Sequence, residues 1–87
     1  CIYCHSGPLH TDRALHDLAN TRGLDAGIPL DTPTLVECWR TAPYLHDGRA
    51  ADLRSMLTEH NPDDRHGATA QLSPPEMDDL LRYVLSL

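Results

Sequence analysis

Not one phenylalanine occurs in this chain of 87 residues, and its aromatic side chains are Trp39, Tyr3, Tyr44 and Tyr83. A chain this short buries a poor fraction of its surface even when apolar residues are plentiful. With so few large ones it needs a disulfide, a metal, a cofactor or a partner to hold a fold. The length admits one domain, residues 1–87. Three cysteines are an odd number, which speaks against a pure disulfide framework. Two of them stand in Cys1-Ile2-Tyr3-Cys4-His5; the third, Cys38, lies beside Trp39 and reads as a small buried hydrophobe. The shortage of apolar mass therefore asks for a cofactor without naming one.

Charge narrows the partners. Thirteen acidic residues against seven basic ones give a formal charge of −6, which disfavours nucleic acid and anionic lipid and suits a soluble protein that meets a basic docking patch. No stretch is long and apolar enough to span a bilayer. Because the sequence opens on the first cysteine of a motif, we expect a fragment or module of a longer protein.

Residues 6–31 carry Gly7, Pro8, Gly23, Gly27 and Pro29 and show little periodicity, apart from Ala14 to Leu18, where a short strand or a turn of helix fits. So long a loop in a small domain is expected to wrap a ligand. Three helices are predicted beyond it. The first opens at Thr32-Pro33 and runs to about Arg40, stopping before Ala42-Pro43. The second runs from near Ala50 to Asn61-Pro62, with Leu53, Met56, Leu57 and His60 on one face. The third opens at Ser73-Pro74-Pro75-Glu76, a capping box, and carries Met77, Leu80, Leu81 and Val84 on one stripe. The expected fold is all-α, three to four helices and long loops around one covalent cofactor.

Cys-x-x-Cys-His is the attachment sequence of c-type haem. The two thiols add across the vinyl groups of the porphyrin, and a turn between Cys1 and Cys4 brings both to one edge of it. His5 then presents its imidazole to the iron as proximal ligand. Zinc would want a further pair of ligands at regular spacing, and neither Cys38 nor His10 completes such a set. A thiol redox pair would want a βαβ setting, which is absent. Haem c, one per chain, is the expected cofactor.

For the sixth iron position the sequence offers Met56, Met77, His10, His16, His46, His60 and His66. Met56 and His60 lie one turn apart on the inward stripe of the second predicted helix. An imidazole at the end of an apolar stripe costs more to bury than Leu or Met unless its nitrogen has a partner, and iron provides one. The competing reading is a partly exposed histidine favoured by the negative end of a helix. Met77 reads as core, and His10, His16 and His66 as surface loop histidines.

The motif, together with Asp31-Thr32-Pro33-Thr34-Leu35, Thr41-Ala42-Pro43-Tyr44-Leu45-His46-Asp47-Gly48 and Leu72-Ser73-Pro74 through Leu87, resembles the C-terminal haem domain of bacterial dihaem cytochrome c peroxidases. The same domain occurs in the related methylamine dehydrogenase maturation enzymes and as a cytochrome module on other proteins. The resemblance covers nearly the whole chain. In the peroxidases a Met fourteen residues after the His of the Thr-Ala-Pro-Tyr segment is the distal ligand of the electron-transfer haem; the maturation enzymes have Tyr there. Fourteen residues on from His46 stands His60. The resemblance thus implies the axial pair His5 and His60, with His46 near a haem propionate or the turn, and Tyr44, Trp39 and Met56 around the haem. Where the family commonly has a propionate-binding Arg this chain has Val36, so that Arg40 or Arg49 would substitute. His16-Asp17 is similar to a His-Asp or His-Asn pair in the family's loop.

The expected function is one-electron transfer by a six-coordinate, bis-His haem, an electron carrier rather than an enzyme. Its potential is expected to lie below that of a His/Met cytochrome, since Met ligation raises it. One alternative is the electron-transfer half of a dihaem peroxidase whose catalytic haem domain lies elsewhere. Another is a subunit of an extracellular multi-haem assembly, in which His10, His16 or His66 reaches a neighbour's haem. Redox proteins, or other haem domains of the same chain, are the expected partners. The resemblance implies an extracytoplasmic location, periplasmic or extracellular, because bacteria attach this haem outside the cytoplasm.

Overall fold

The computed structural model describes residues 1–87. Its first half is loop tied by a two-stranded antiparallel sheet. Strand β1 (Leu15–His16) pairs with β2 (Leu30–Asp31), Leu15 opposite Asp31 and His16 opposite Leu30. The chain leaves β2 through Thr32, which is buried. The Thr32 N–H donates to the Ala14 carbonyl at 3.1 Å, and Thr11 donates its hydroxyl to the Thr32 carbonyl at 2.6 Å.

Those bonds explain why the first predicted helix does not form. Thr32 is spent on the sheet instead of capping a helix. Thr34 then accepts the Val36 N–H at 3.1 Å and donates its hydroxyl to the Leu9 carbonyl at 2.5 Å. Short side chains bonded to nearby backbone compete with helical pairing in this way. Glu37 adopts φ 57°, and only a 3-10 turn, Cys38–Arg40, remains of the helix.

The second helix is shorter than predicted. Helix α1 spans Leu53–Leu57, opened by the Asp52 carboxylate, which accepts the Ser55 N–H at 2.7 Å. It ends because Thr58 donates its hydroxyl back to the Arg54 carbonyl, and the His60 N–H bonds Ser55, five residues back instead of four. Leu53 and Leu57 are buried on the expected face with Met56 half-buried beside them, but His60 lies beyond the helix end. A further 3-10 turn covers Pro62–Asp64.

Helix α2 (Pro74–Leu85) forms as the capping box predicts. The Ser73 N–H donates to the Glu76 carboxylate at 2.7 Å, and the Ser73 hydroxyl faces the Glu76 N–H. The cap holds Glu76 below its ordinary pKa, since its charged form accepts the Ser73 N–H and hydroxyl. Helix α2 packs on the Cys38–Arg40 turn, where the Cys38 thiol meets the Val84 carbonyl at 3.5 Å. With two α-helices, three 3-10 turns and a small sheet, the all-α expectation of three to four helices is overturned. The polar side chains of residues 31–37 and 58–61 account for the difference.

Only eight residues are buried: Cys38, Ala50, Leu53, Leu57, Met77, Thr32, Asn61 and Thr69. Three of these are polar, and no large side chain is completely enclosed. The chain alone does not make a self-sufficient apolar interior, as its composition foretold. No helix is long and apolar enough to cross a membrane.

Candidate cofactor site

The Cys1 carbonyl accepts the N–H of Cys4 at 3.2 Å and of His5 at 2.9 Å, closing one tight turn. Cys1 is exposed and Cys4 half-buried, and both thiols are free. Ile2 and Tyr3, between them, stand 83% and 87% exposed, so neither anchors the turn to the core. His5 is held from the other side: its Nδ1 lies 3.1 Å from the His10 carbonyl. A carbonyl only accepts, so Nδ1 carries the proton in the neutral ring and Nε2 keeps its lone pair. An outer hydrogen bond of this kind orients a metal-binding histidine and raises its basicity.

A second loop meets this turn. Asn61, buried, clasps it from within: its Oδ1 accepts the His66 N–H at 2.7 Å, and its Nδ2 donates to the Gly67 carbonyl at 2.8 Å and to Thr69 Oγ1 at 3.0 Å. Thr69 donates its hydroxyl to the Leu57 carbonyl at 2.8 Å, and Asp64 accepts hydrogen bonds from the N–H groups of Thr69 and Ala70. Gly67 adopts φ +95°, and a Cβ there would lie 3.4 Å from Cys1 Sγ. The backbone angle calls for glycine, whereas the Cys1 contact alone would be an ordinary one. The clasp sets the His66 ring 6.4 Å from the His5 ring, centroid to centroid, with 33° between their planes. Burial first, then the nearby His5, hold His66 below the ordinary imidazole pKa. The loop histidine that the sequence reading sent to the surface is half-buried against the motif. The signals that mark it are Asn61, able to bracket a turn, and a glycine directly after His66.

The other predicted site residues are dispersed. His60 is half-buried, and its Nδ1 is enclosed without a partner, as is that of His66. Met56 is half-buried on α1. His46 is exposed at its turn, 3.3 Å from Asp25. Arg40 faces solvent and pairs with Glu37. Arg49 is better enclosed: it bonds Asp47 at 2.7 Å and the Asn20 carbonyl, while its Nε is buried without a partner. The guanidinium holds Asp47 below its ordinary pKa. Tyr44 pairs its backbone with Ala50 and donates its hydroxyl to the Cys38 carbonyl at 2.9 Å, so its visible role is to fasten the Leu45–Arg49 turn. Burial raises its pKa, as it does that of the Cys38 thiol. Trp39 is 55% exposed.

One cluster of metal-type donors shares Cys4 with the motif. Cys4, Asp12 and His16 offer ligand atoms that lie within 4.8 Å of one another. Asp12 accepts the Ala14 N–H at 3.0 Å and pairs with His16 Nε2 at 2.8 Å. The Ala14 bond, then His16, bring its pKa down from 3.8 to about 2.

The donor set at the first turn suits a covalently attached haem: two free thiols three residues apart, followed by an imidazole with a free lone pair. The buried, unpartnered nitrogens of His60, His66 and Arg49 are groups that an iron or a carboxylate can satisfy.

No family model and no solved structure matches the chain. Among curated proteins, hydrazine synthase subunit gamma of Kuenenia stuttgartiensis is 38% identical to it over 66 residues. That stretch is 75% of this chain and 19% of the hydrazine synthase subunit, so the chain spans about a fifth of the curated relative's length.

Proposed function

We propose that this chain is a one-electron-transfer domain in which Cys1 and Cys4 hold a c-type haem covalently and His5 is its proximal ligand. The observation that carries the reading is the His5 Nδ1–His10 carbonyl bond inside a Cys-x-x-Cys-His turn, which fixes the ring and leaves Nε2 as a donor. When bound, the haem supplies a one-electron iron couple. The chain's residues orient and enclose. The tight turn keeps Cys1 and Cys4 close in the chain, and the His10 carbonyl orients the His5 ring. Arg49, with a buried N–H unspent, is the better placed of the two arginines to meet a propionate. A histidine would supply the second iron ligand. His60, reached from the sequence pattern, and His66, reached from the loop clasp, are its candidates. With histidines of the chain holding the iron, the domain would pass electrons and would bind no substrate there.

The domain works outside the cytoplasm, where bacteria attach such haems, and meets redox proteins or further haem domains. A second reading rests on the matched relative, which is named as a subunit of an enzyme. In it this domain is the electron-input part of a larger redox enzyme; a dihaem peroxidase and an extracellular multi-haem assembly are other forms of the same idea. Another Cys-x-x-Cys-His in the parent gene would favour it. A zinc reading rests on Cys4, Asp12 and His16, but Cys4 cannot serve both sites.

The test is a spectroelectrochemical titration of the chain, exported and matured in a bacterial host that attaches c-type haem. One reversible one-electron wave is expected, and its loss in the Cys1→Ser/Cys4→Ser variant. A colourless protein that carries zinc would select the other site.

A further inference from the structure

We infer that Cys4, Asp12 and His16 form a binding site for a zinc-class divalent cation in the haem-free chain. Resting on the haem reading above, haem attachment at Cys4 closes that site. The thiol, carboxylate and imidazole offer ligand atoms that all lie within 4.8 Å of one another, and all three residues are half-buried. Zinc takes sulfur at about 2.3 Å and nitrogen or oxygen at about 2.0–2.2 Å, so ligand atoms of a tetrahedral site stand about 3.3–3.6 Å apart. Asp12 and His16 Nε2 are 2.8 Å apart, joined by a proton that a cation would displace. One sulfur, one nitrogen and one oxygen donor suit a borderline-soft cation; calcium and magnesium want oxygen alone. Three protein ligands leave the fourth position to water.

Hydrogen bonds gather these donors from three pieces of the chain. The Asp12 N–H donates to the Cys4 carbonyl at 2.8 Å and the Thr11 N–H to the Ser6 carbonyl at 3.0 Å, which folds the chain after the motif back onto it. The Asp12 carboxylate is aimed: one oxygen accepts the Ala14 N–H at 3.0 Å, which leaves the other for His16. His16 comes from β1, fixed opposite Leu30 in the sheet. A turn, a loop and a strand thus deliver one donor each, with outer hydrogen bonds of the kind that orient metal ligands. An ion pair alone would account for Asp12 and His16, but not for the Cys4 thiol beside them.

A cation in this site uses the Cys4 sulfur as thiolate. That sulfur can then neither pair with Cys1 nor add to a vinyl group. Thioether formation adds the Cys4 S–H across a porphyrin vinyl, sulfur to one carbon and hydrogen to the other, with no net oxidation. The product has no thiolate left for zinc. Cation and haem therefore exclude each other at Cys4.

Maleimide labelling of the reduced, haem-free full chain with and without added zinc tests this, each cysteine being read by peptide mass spectrometry. The metal organises its own ligands, so the chain need not be folded beforehand. Zinc is expected to protect Cys4 and to leave Cys1 as reactive as before. Zinc affinity is expected to fall by at least about 10-fold in Asp12→Asn and in His16→Ala, and to be unaffected in His5→Ala. Equal protection of Cys1 and Cys4 overturns the site, since the motif would then be the chelator. So does a His5→Ala variant that loses zinc while His16→Ala keeps it, or a wild type that binds none. In the matured chain, haem on both cysteines is expected to abolish zinc binding; zinc still held there through Asp12 and His16 would overturn the exclusion. A matured chain that lacks covalent haem and binds zinc at Cys4 defeats the haem reading and leaves the cation site standing.

Discussion

Asn61→Ala removes the clasp and should unfold the chain early. Asn61 is 7% exposed and makes three side-chain hydrogen bonds, at 2.7 Å to the His66 N–H, 2.8 Å to the Gly67 carbonyl and 3.0 Å to Thr69 Oγ1. Thr69 keeps its bond to Leu57, so the groups left bare are the His66 N–H and the Gly67 carbonyl. An orphaned buried group costs about 1–3 kcal/mol, less where the loop can loosen toward water. Two of them give a loss of about 2–4 kcal/mol. That is a large share of the 5–15 kcal/mol typical of small domains, and it lowers Tm by roughly 10–25 °C. Urea unfolding of the matured protein, followed by far-ultraviolet circular dichroism, measures it, with an unchanged denaturant slope as the sign that the folded state is otherwise intact. The exposed Glu59→Ala is the control, expected to stay within about 0.5 kcal/mol. A loss below about 0.5 kcal/mol in Asn61→Ala would refute the claim that the clasp organises the loop.

Other substitutions probe separate parts. Met77→Ala empties a buried position of α2 and is expected to cost about 2–5 kcal/mol by the same urea assay; a cost under 1 kcal/mol would mean that this helix is not part of the core. Gly67→Ala places a Cβ at φ +95° and is expected to destabilise by about 1–3 kcal/mol, whereas an unchanged midpoint would mean that residue 67 does not hold this left-handed backbone conformation. Asp12 titrates near 2 when folded and near 3.8 when free, so its contribution is complete above 3.8 and drains as pH falls through about 2. Tm measured from pH 5 to pH 2 should therefore fall less steeply in Asp12→Asn than in the wild type, and superimposable profiles would contradict the assigned pairing with Ala14 and His16.

Local rules were enough where one strong signal acted alone. Ser73, Pro74 and Glu76 specify the start of α2, and nothing competes with them. They failed where short polar side chains had a choice. Thr32 can cap a helix or bond across to Ala14, and only the tertiary fold shows that Ala14, just ahead of β1, claims it. Thr58 likewise turns its hydroxyl onto Arg54 and shortens α1, which carries the helical-face pattern but does not reach His60. At the site, the Cys1–His5 turn was legible because its chemistry is contained in five consecutive residues. The His5–His10 bond and the approach of His66 were not, since both depend on loops folded back through long-range bonds. Arg49 and Arg40 could be separated only by burial.

The central claim is that two sulfurs of the first turn carry a porphyrin. Acid–acetone extraction of the matured protein, followed by proteolysis and mass spectrometry of the peptide that contains Cys1 and Cys4, measures this directly. Pigment that stays with the polypeptide, as one haem on that peptide through both cysteines, is the outcome the account predicts. Pigment that extracts completely, or a peptide with both thiols unmodified, would contradict it.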